Sequence, residues 1–148
     1  MNRIFAIGDI HGCLKKLQDL IEIIAANPIK DKLIFIGDYI DRGSFSREVV
    51  DYILQLKKKF KNVVCLLGNH EQMFFNYLEG VDEEMYLHNG GQSTLLSYGI
   101  KSLDLPDERK KKIPKNHMLF FQSLLPYYQT KDYIFVHAGL IPGIPLKK

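Results

Sequence analysis

Four short stretches set carboxylate, imidazole and amide side chains directly after apolar runs. They are Asp9 and His11 in "GDIHG", Asp38, Asp41 and Arg42 in "GDYIDRG", Asn69 and His70 in "GNHE", and His137 in "VHAGL". Oxygen and imidazole donors without a thiolate suit hard-to-borderline divalent ions such as Mn²⁺, Fe²⁺ or Zn²⁺, not a cysteine-held structural zinc. One Asp-x-His pair after a strand is more often a cap or a surface pair. Three such groups in register, with a further histidine, point to a metal centre. Asp9 and His11, at i and i+2 on an extended strand end, are expected on one side, within reach of one ion. Asp38 takes the equivalent place on the next strand, where its two oxygens suit bridging of two ions. Glycines at positions 8, 12, 37, 43 and 68 are expected to permit the tight turns and close backbone approach this requires.

The elements that must position these side chains follow from periodicity. Arg3–Ile7, Leu33–Ile36 and Val63–Leu67 read as strands. Leu14, Leu17, Leu20, Ile21 and Ile24 mark a first helix, broken at "NPIKD". Val49, Ile53, Leu56 and Phe60 mark a second, beginning after Ser44 or Ser46, and a third follows "GNHE" to about Leu78. Continuous apolar runs predict strands buried on both faces: an α/β fold with a largely parallel, layered sheet flanked by helices. Ligands bind at the carboxyl ends of such strands, where each of the four groups falls. Further along, Asn89-Gly90-Gly91 reads as a turn before a short helix, and "LDLPDERKKKIPKN" as a polar surface segment. Met118–Leu125 reads as an amphipathic helix and Tyr133–Val136 as a fourth, buried strand.

Composition sets the bounds. The 148 residues, 46% hydrophobic and 25% charged, suit a single domain over 1–148 with its own core. A net charge of +3 is too small to argue for nucleic acid. The runs Lys57–Lys59 and Arg109–Lys112 read as solvated helix faces or loops. Cys13 and Cys65 lack zinc-knuckle spacing and read as small buried residues of a reducing compartment. No apolar stretch approaches the roughly 18 residues needed to span a bilayer. The chain enters a strand without a signal-peptide pattern, so a cytoplasmic location and no membrane partner are expected.

Taken in order, "GDIHG", "GDYIDRG", "GNHE" and "VHAGL" resemble the calcineurin-like metallophosphoesterases, within them the phosphoprotein-phosphatase branch and its bacterial relatives. The resemblance covers residues 8–140. It implies that Asp9, His11 and Asp38 hold a first metal, and that Asp38, Asn69 and His137 hold a second. Manganese is the expected ion, with iron or zinc as alternatives. Arg42 is implied to clamp the substrate phosphate, together with Asn69, by paired guanidinium hydrogen bonds. His70, oriented by Asp41, is implied to protonate the leaving-group oxygen. The reaction implied is in-line hydrolysis of a phosphate monoester by a metal-activated hydroxide, without a phospho-enzyme.

The secondary candidates carry weaker expectations. Glu71 reads as a helix cap or an orienting group, His88 and His117 as surface or packing residues, and Arg47 as a solvated helix residue. Phe74, Phe75, Tyr77, Tyr127 and Tyr128 read as core or cleft wall. Relatives carry a further segment with another histidine and often a second phosphate-binding arginine. The second metal site is therefore expected to lack one protein ligand, and the sheet its C-terminal strands. The uncovered sheet edge would favour self-association. A Ser/Thr phosphoprotein phosphatase is the leading expectation. The alternatives are a symmetrical dinucleoside-tetraphosphate hydrolase, acting on a small phosphoester, and a metal-binding interaction module without turnover.

Overall fold

A computed structural model of the chain describes residues 3–146. Its centre is a three-stranded parallel sheet of β1 (Ile4–Ile7), β2 (Lys32–Phe35) and β3 (Val63–Cys65), in the order β1-β2-β3. Ile4 pairs with Lys32, and Leu33 in turn with Val63, so the three carboxyl ends lie together. Leu33, Ile34 and Phe35 of the middle strand are wholly buried. Each such side chain contributes about 1.5–3 kcal/mol by leaving water. β1 is different: Ile4 is 41% exposed and Ala6 also faces solvent. Burial on both faces, expected for every strand, therefore holds for β2 and not for the edge strand.

α1 (Leu14–Ile24) and α2 (Ser46–Lys59) follow β1 and β2. Val49, Val50, Ile53 and Leu56 line the buried stripe of α2. Glu48 in its first turn and Lys57–Lys59 in its last complement the helix dipole, which explains the first basic run. α3 (Asn69–Leu78) begins one residue after Gly68 and ends at Leu78, as the periodicity predicts.

The later chain departs from expectation. α4 (Glu83–His88), too short to show a period, was not foreseen; α5 (Gln92–Tyr98) follows the Gly90-Gly91 turn as expected. The segment read as polar surface contains α6 (Pro106–Lys112), with proline in its first turn and Glu108 accepting the Leu105 N–H. α7 (Lys115–Gln122) starts three residues before the expected Met118. Two short strands, β4 (Tyr127–Gln129) and β5 (Ile134–Val136), pair antiparallel in a separate hairpin. The fourth strand is thus neither part of the parallel sheet nor buried, since Tyr133 is 64% and Ile134 44% exposed. The hairpin is closed at its turn, where Thr130 donates its N–H to the Tyr133 carbonyl at 2.8 Å and its hydroxyl oxygen accepts the Tyr133 N–H at 3.0 Å. The hairpin is tied to the main sheet by a parallel bridge between Leu66 and Leu125.

Candidate metal centre

The loops after β1 and β2 are sewn together by their backbones, and the loop after β3 is tied to them through carboxylates, the Gly68 and His70 N–H groups donating to Glu71 and Asp38. Ile10 and His11 both donate N–H to the Asp38 carbonyl at 2.9 Å, and Gly43 donates to the His11 carbonyl at 3.1 Å. These bonds curl the first loop, so Asp9 and His11 leave a turn and not the extended strand end expected of them. A β-carbon on Gly43 would lie 2.2 Å from the His11 carbonyl oxygen, and one on Gly68 2.2 Å from Asp38 Oδ1. Gly8, in contrast, has open space and an ordinary φ, so nothing in the structure demands glycine there.

Among the described residues six non-glycine residues adopt positive φ, and four of them are His11 (45°), Asp38 (53°), Asp41 (72°) and Arg42 (65°). Each such conformation costs roughly 1–3 kcal/mol, and the surroundings must hold it. Glu71 is one restraint. Its wholly buried carboxylate accepts the N–H groups of Asp38 (3.0 Å), Tyr39 (2.8 Å) and Gly68 (3.1 Å). Burial, and then the nearby Asp38 charge, push its carboxyl up to about 7, while the N–H donors pull the other way. The expectation of an orienting role for Glu71 thus has a concrete form.

The side chains converge as follows. Asp38 Oδ2 lies 3.6 Å from His11 Nε2, and Oδ1 lies 3.4 Å from His137 Nε2. His11 Nδ1 faces the Ile40 carbonyl and His137 Nδ1 the Ile36 carbonyl, each at 2.9 Å. A carbonyl only accepts, so both Nδ1 atoms carry a proton, and in the neutral ring each Nε2 presents a lone pair. Asn69 Oδ1, another acceptor, stands 2.9 Å from His137 Nε2. Imidazole, amide and carboxylate acceptors facing one point are reconciled by a cation. The donor set therefore fits divalent metal. Among the described residues there are two groups whose ligand atoms lie within 4.8 Å of one another, His11–Asp38–His70 and Asp9–Asp38–His137, sharing Asp38. Asp9 is thus grouped with His137, and His11 with His70.

His70 is 1% exposed and donates from Nδ1 to Asp41 Oδ2 at 2.7 Å. Its Nε2 faces Arg42, whose guanidinium donates to it at 3.2 Å and to His11 Nε2 at 3.0 Å. The arginine head therefore spans the Nε2 atoms of both rings, where an anion entering the centre would meet it. Apolar grooves open on either side. One is bordered by Asp9, His11, Cys13 and Lys16, the other by Asn69, Gln72, Tyr127 and His137.

Every sequence-derived ligand, Asp9, His11, Asp38, Asn69 and His137, lies in this cluster, with Asp41, Arg42 and His70 beside them. His117 does not: it is buried elsewhere, bonded to the Tyr98 hydroxyl and to Asp51, each at 2.9 Å. His88 is exposed on α4 and Arg47 is exposed on α2. Tyr86, Thr94 and Ser46, which surround Asp41, were missed. Tyr86 and Thr94 sit on helices too short to show a period, and only the Gly90-Gly91 turn between them marked the segment.

A parallel sheet that gathers carboxylates and imidazoles at its strand ends, around a candidate cation site and an arginine, defines an α/β protein with a candidate metal centre. The chain belongs to the calcineurin-like phosphoesterase family, whose sequence model matches residues 2–146. It is 32% identical over 148 residues to the symmetrical bis(5'-nucleosyl)-tetraphosphatase of Pseudomonas syringae pv. syringae, covering 98% of this chain and 44% of that one. The enzyme of the same name from Methylobacillus flagellatus is 34% identical over 139 residues, 93% of this chain and 43% of that one. This chain thus spans under half the length of these relatives. A crystal structure of a candidate diadenosine tetraphosphatase superposes with a TM-score of 0.69 at 22% identity, over 97% of this chain and 53% of that one. A cold-active protein tyrosine phosphatase does so with a TM-score of 0.69 at 19% identity, over 93% and 41%. Both likenesses support the fold. Among the described residues, no helix is long and apolar enough to cross a membrane.

Proposed function

We propose that this chain carries the metal centre of a hydrolase that cleaves dinucleoside tetraphosphates symmetrically. The observation that carries the reading is the named relatives' identity of about a third over at least nine-tenths of this chain. This is the second of the two enzymatic expectations. Phosphoprotein specificity finds no support among those relatives, and the motif spelling that favoured it does not separate the two.

In this reading Asp9, His11, Asp38, Asn69 and His137 would hold the divalent metal, Asp38 being the residue that both candidate ligand groups share. The metal, when bound, would lower the pKa of a water and neutralise phosphoryl charge. Arg42 binds a phosphoryl oxygen pair through its guanidinium. His70, held by Asp41 through Nδ1, would act as the imidazolium and give the proton on Nε2 to the departing phosphate oxygen. Water adds across the central phosphoanhydride, so one tetraphosphate gives two nucleoside diphosphates.

The test is a side-by-side assay with Mn²⁺ on diadenosine tetraphosphate and on phosphoserine and phosphothreonine peptides, with products separated by chromatography. Two ADP per substrate and slow peptide dephosphorylation are expected. A preference for the peptides would restore the phosphoprotein reading. Metal uptake with no hydrolysis of either would favour a non-catalytic module.

A further inference from the structure

Asp41 is held by more than His70. Its Oδ1 accepts the Tyr86 hydroxyl at 2.7 Å and the Thr94 hydroxyl at 2.6 Å, leaving Oδ2 to His70 Nδ1 at 2.7 Å. Ser46 Oγ stands 2.9 Å from Thr94 Oγ1, and the Asp41 N–H is shared between these two hydroxyl oxygens at 3.0 and 2.8 Å. Asp41, Ser46, Tyr86 and Thr94 are each wholly buried. Two hydroxyl donors on one oxygen fix the rotation of the carboxylate, which a single imidazole contact would leave free. They also stabilise its charge in a place where water does not reach.

The donors come from a segment built to stay put. The Gly90 carbonyl accepts the Arg42 N–H at 3.0 Å, in the residue after Asp41. A β-carbon on Gly91 would fall 2.4 Å from the Tyr86 ring, so glycine there lets α5 close on the tyrosine. α4, the turn and α5 thus clasp Asp41 and Arg42, both in the left-handed region.

We propose that Tyr86 and Thr94 are positioning residues for the reaction. Their hydroxyls aim Asp41 Oδ2 at His70 Nδ1 and so fix the tautomer and ring orientation of His70. The role in turnover rests on the hydrolase reading above, whereas the effect on the ring is a property of the resting chain. Burial and the Asp41 charge hold the Tyr86 hydroxyl well above its ordinary pKa, so it keeps the proton it donates.

The test reads the His70 ring directly. In ¹⁵N-labelled full chain, ring ¹H–¹⁵N correlations, assigned by their loss in His70→Asn, should show a protonated Nδ1 with a slowly exchanging proton. Tyr86→Phe and Thr94→Val should each shift that resonance and speed its exchange, and the double variant should lose it. Thr94→Ser, which keeps the hydroxyl, should retain it. An unchanged resonance in the folded variants would overturn the proposal, and so would its loss in Thr94→Ser, which would assign the effect to packing. If the double variant does not fold, the single variants decide by the same comparison. No substrate is present, so failure of the dinucleotide reading leaves this outcome untouched.

Discussion

Asp38 is buried, left-handed in φ, and divided between two imidazoles, with Oδ2 toward His11 and Oδ1 toward His137. A carboxylate so placed is costly unless cations meet it, because burial opposes its charge. Oδ1 also accepts the His70 N–H at 3.1 Å, which an amide oxygen can replace. Asp38→Asn should therefore keep the fold and lose the metal. By calorimetric titration with Mn²⁺, affinity should drop at least about a hundredfold, beyond what loss of an outer partner costs. The metal-induced rise in Tm, near 2.7 kcal/mol of stabilisation at a hundred times Kd, should vanish with it. Unchanged uptake of two ions would remove Asp38 from the bridging role. The identity of these ligands was legible because each group follows an apolar run, with a glycine in between for all but His137. Their local geometry was not: the Asp9–His11 turn depends on the Asp38 carbonyl, 27 residues from His11, and no local pattern encodes that bond.

At the scale of elements, the second basic run behaves unlike the first. Lys57–Lys59 ride on a helix end, but Arg109 of α6 is 4% exposed. Its guanidinium bonds the Tyr77 carbonyl at 2.7 Å, the Asp104 carbonyl at 2.8 Å and both Glu83 carboxylate oxygens at 2.9 Å, and lies 4.2 Å over the Tyr77 ring. One side chain thereby joins α3, α4 and α6. A run of four bases shows nothing of this, since the partners sit 26 and 32 residues away. Arg109→Ala should cost about 2–3 kcal/mol in urea unfolding, by orphaning a buried carbonyl and half a carboxylate pair. Arg109→Lys should recover only part, because an ammonium lacks the planar fork. A loss below about 0.5 kcal/mol, ordinary for a surface position, would mean the clamp contributes nothing. The strand-helix-strand half was readable because its periods are long. From Glu79 onward the elements run three to eight residues, and tertiary contacts rather than pattern decide them.

Across the whole molecule, the start of the sheet is fastened by a charge pair that the sequence does not mark. Asp31, 2% exposed ahead of β2, accepts the Arg3 N–H at 3.0 Å, the Arg3 guanidinium at 3.1 and 2.6 Å, and the Asn27 N–H at 2.8 Å. The Arg3 side chain and these backbone donors hold the Asp31 carboxyl far below the usual carboxylate range. The sign follows directly. A depressed folded pKa means the unfolded chain binds the proton more readily, so stability is complete above about pH 4 and drains as pH falls through and below that value. The pair registers Arg3 beside Lys32, whose N–H bonds the Arg3 carbonyl at 2.9 Å, so its loss should loosen β1 from β2. β1 carries the Asp9–His11 turn, which makes the acid limb of stability a readout of the whole sheet. Asp31→Asn should lower stability at pH 7 and flatten its fall between pH 5 and 3, measured by urea unfolding at stepped pH. A fall as steep as that of the parent chain would place the acid sensitivity in other carboxylates and leave Asp31 a surface partner of Arg3.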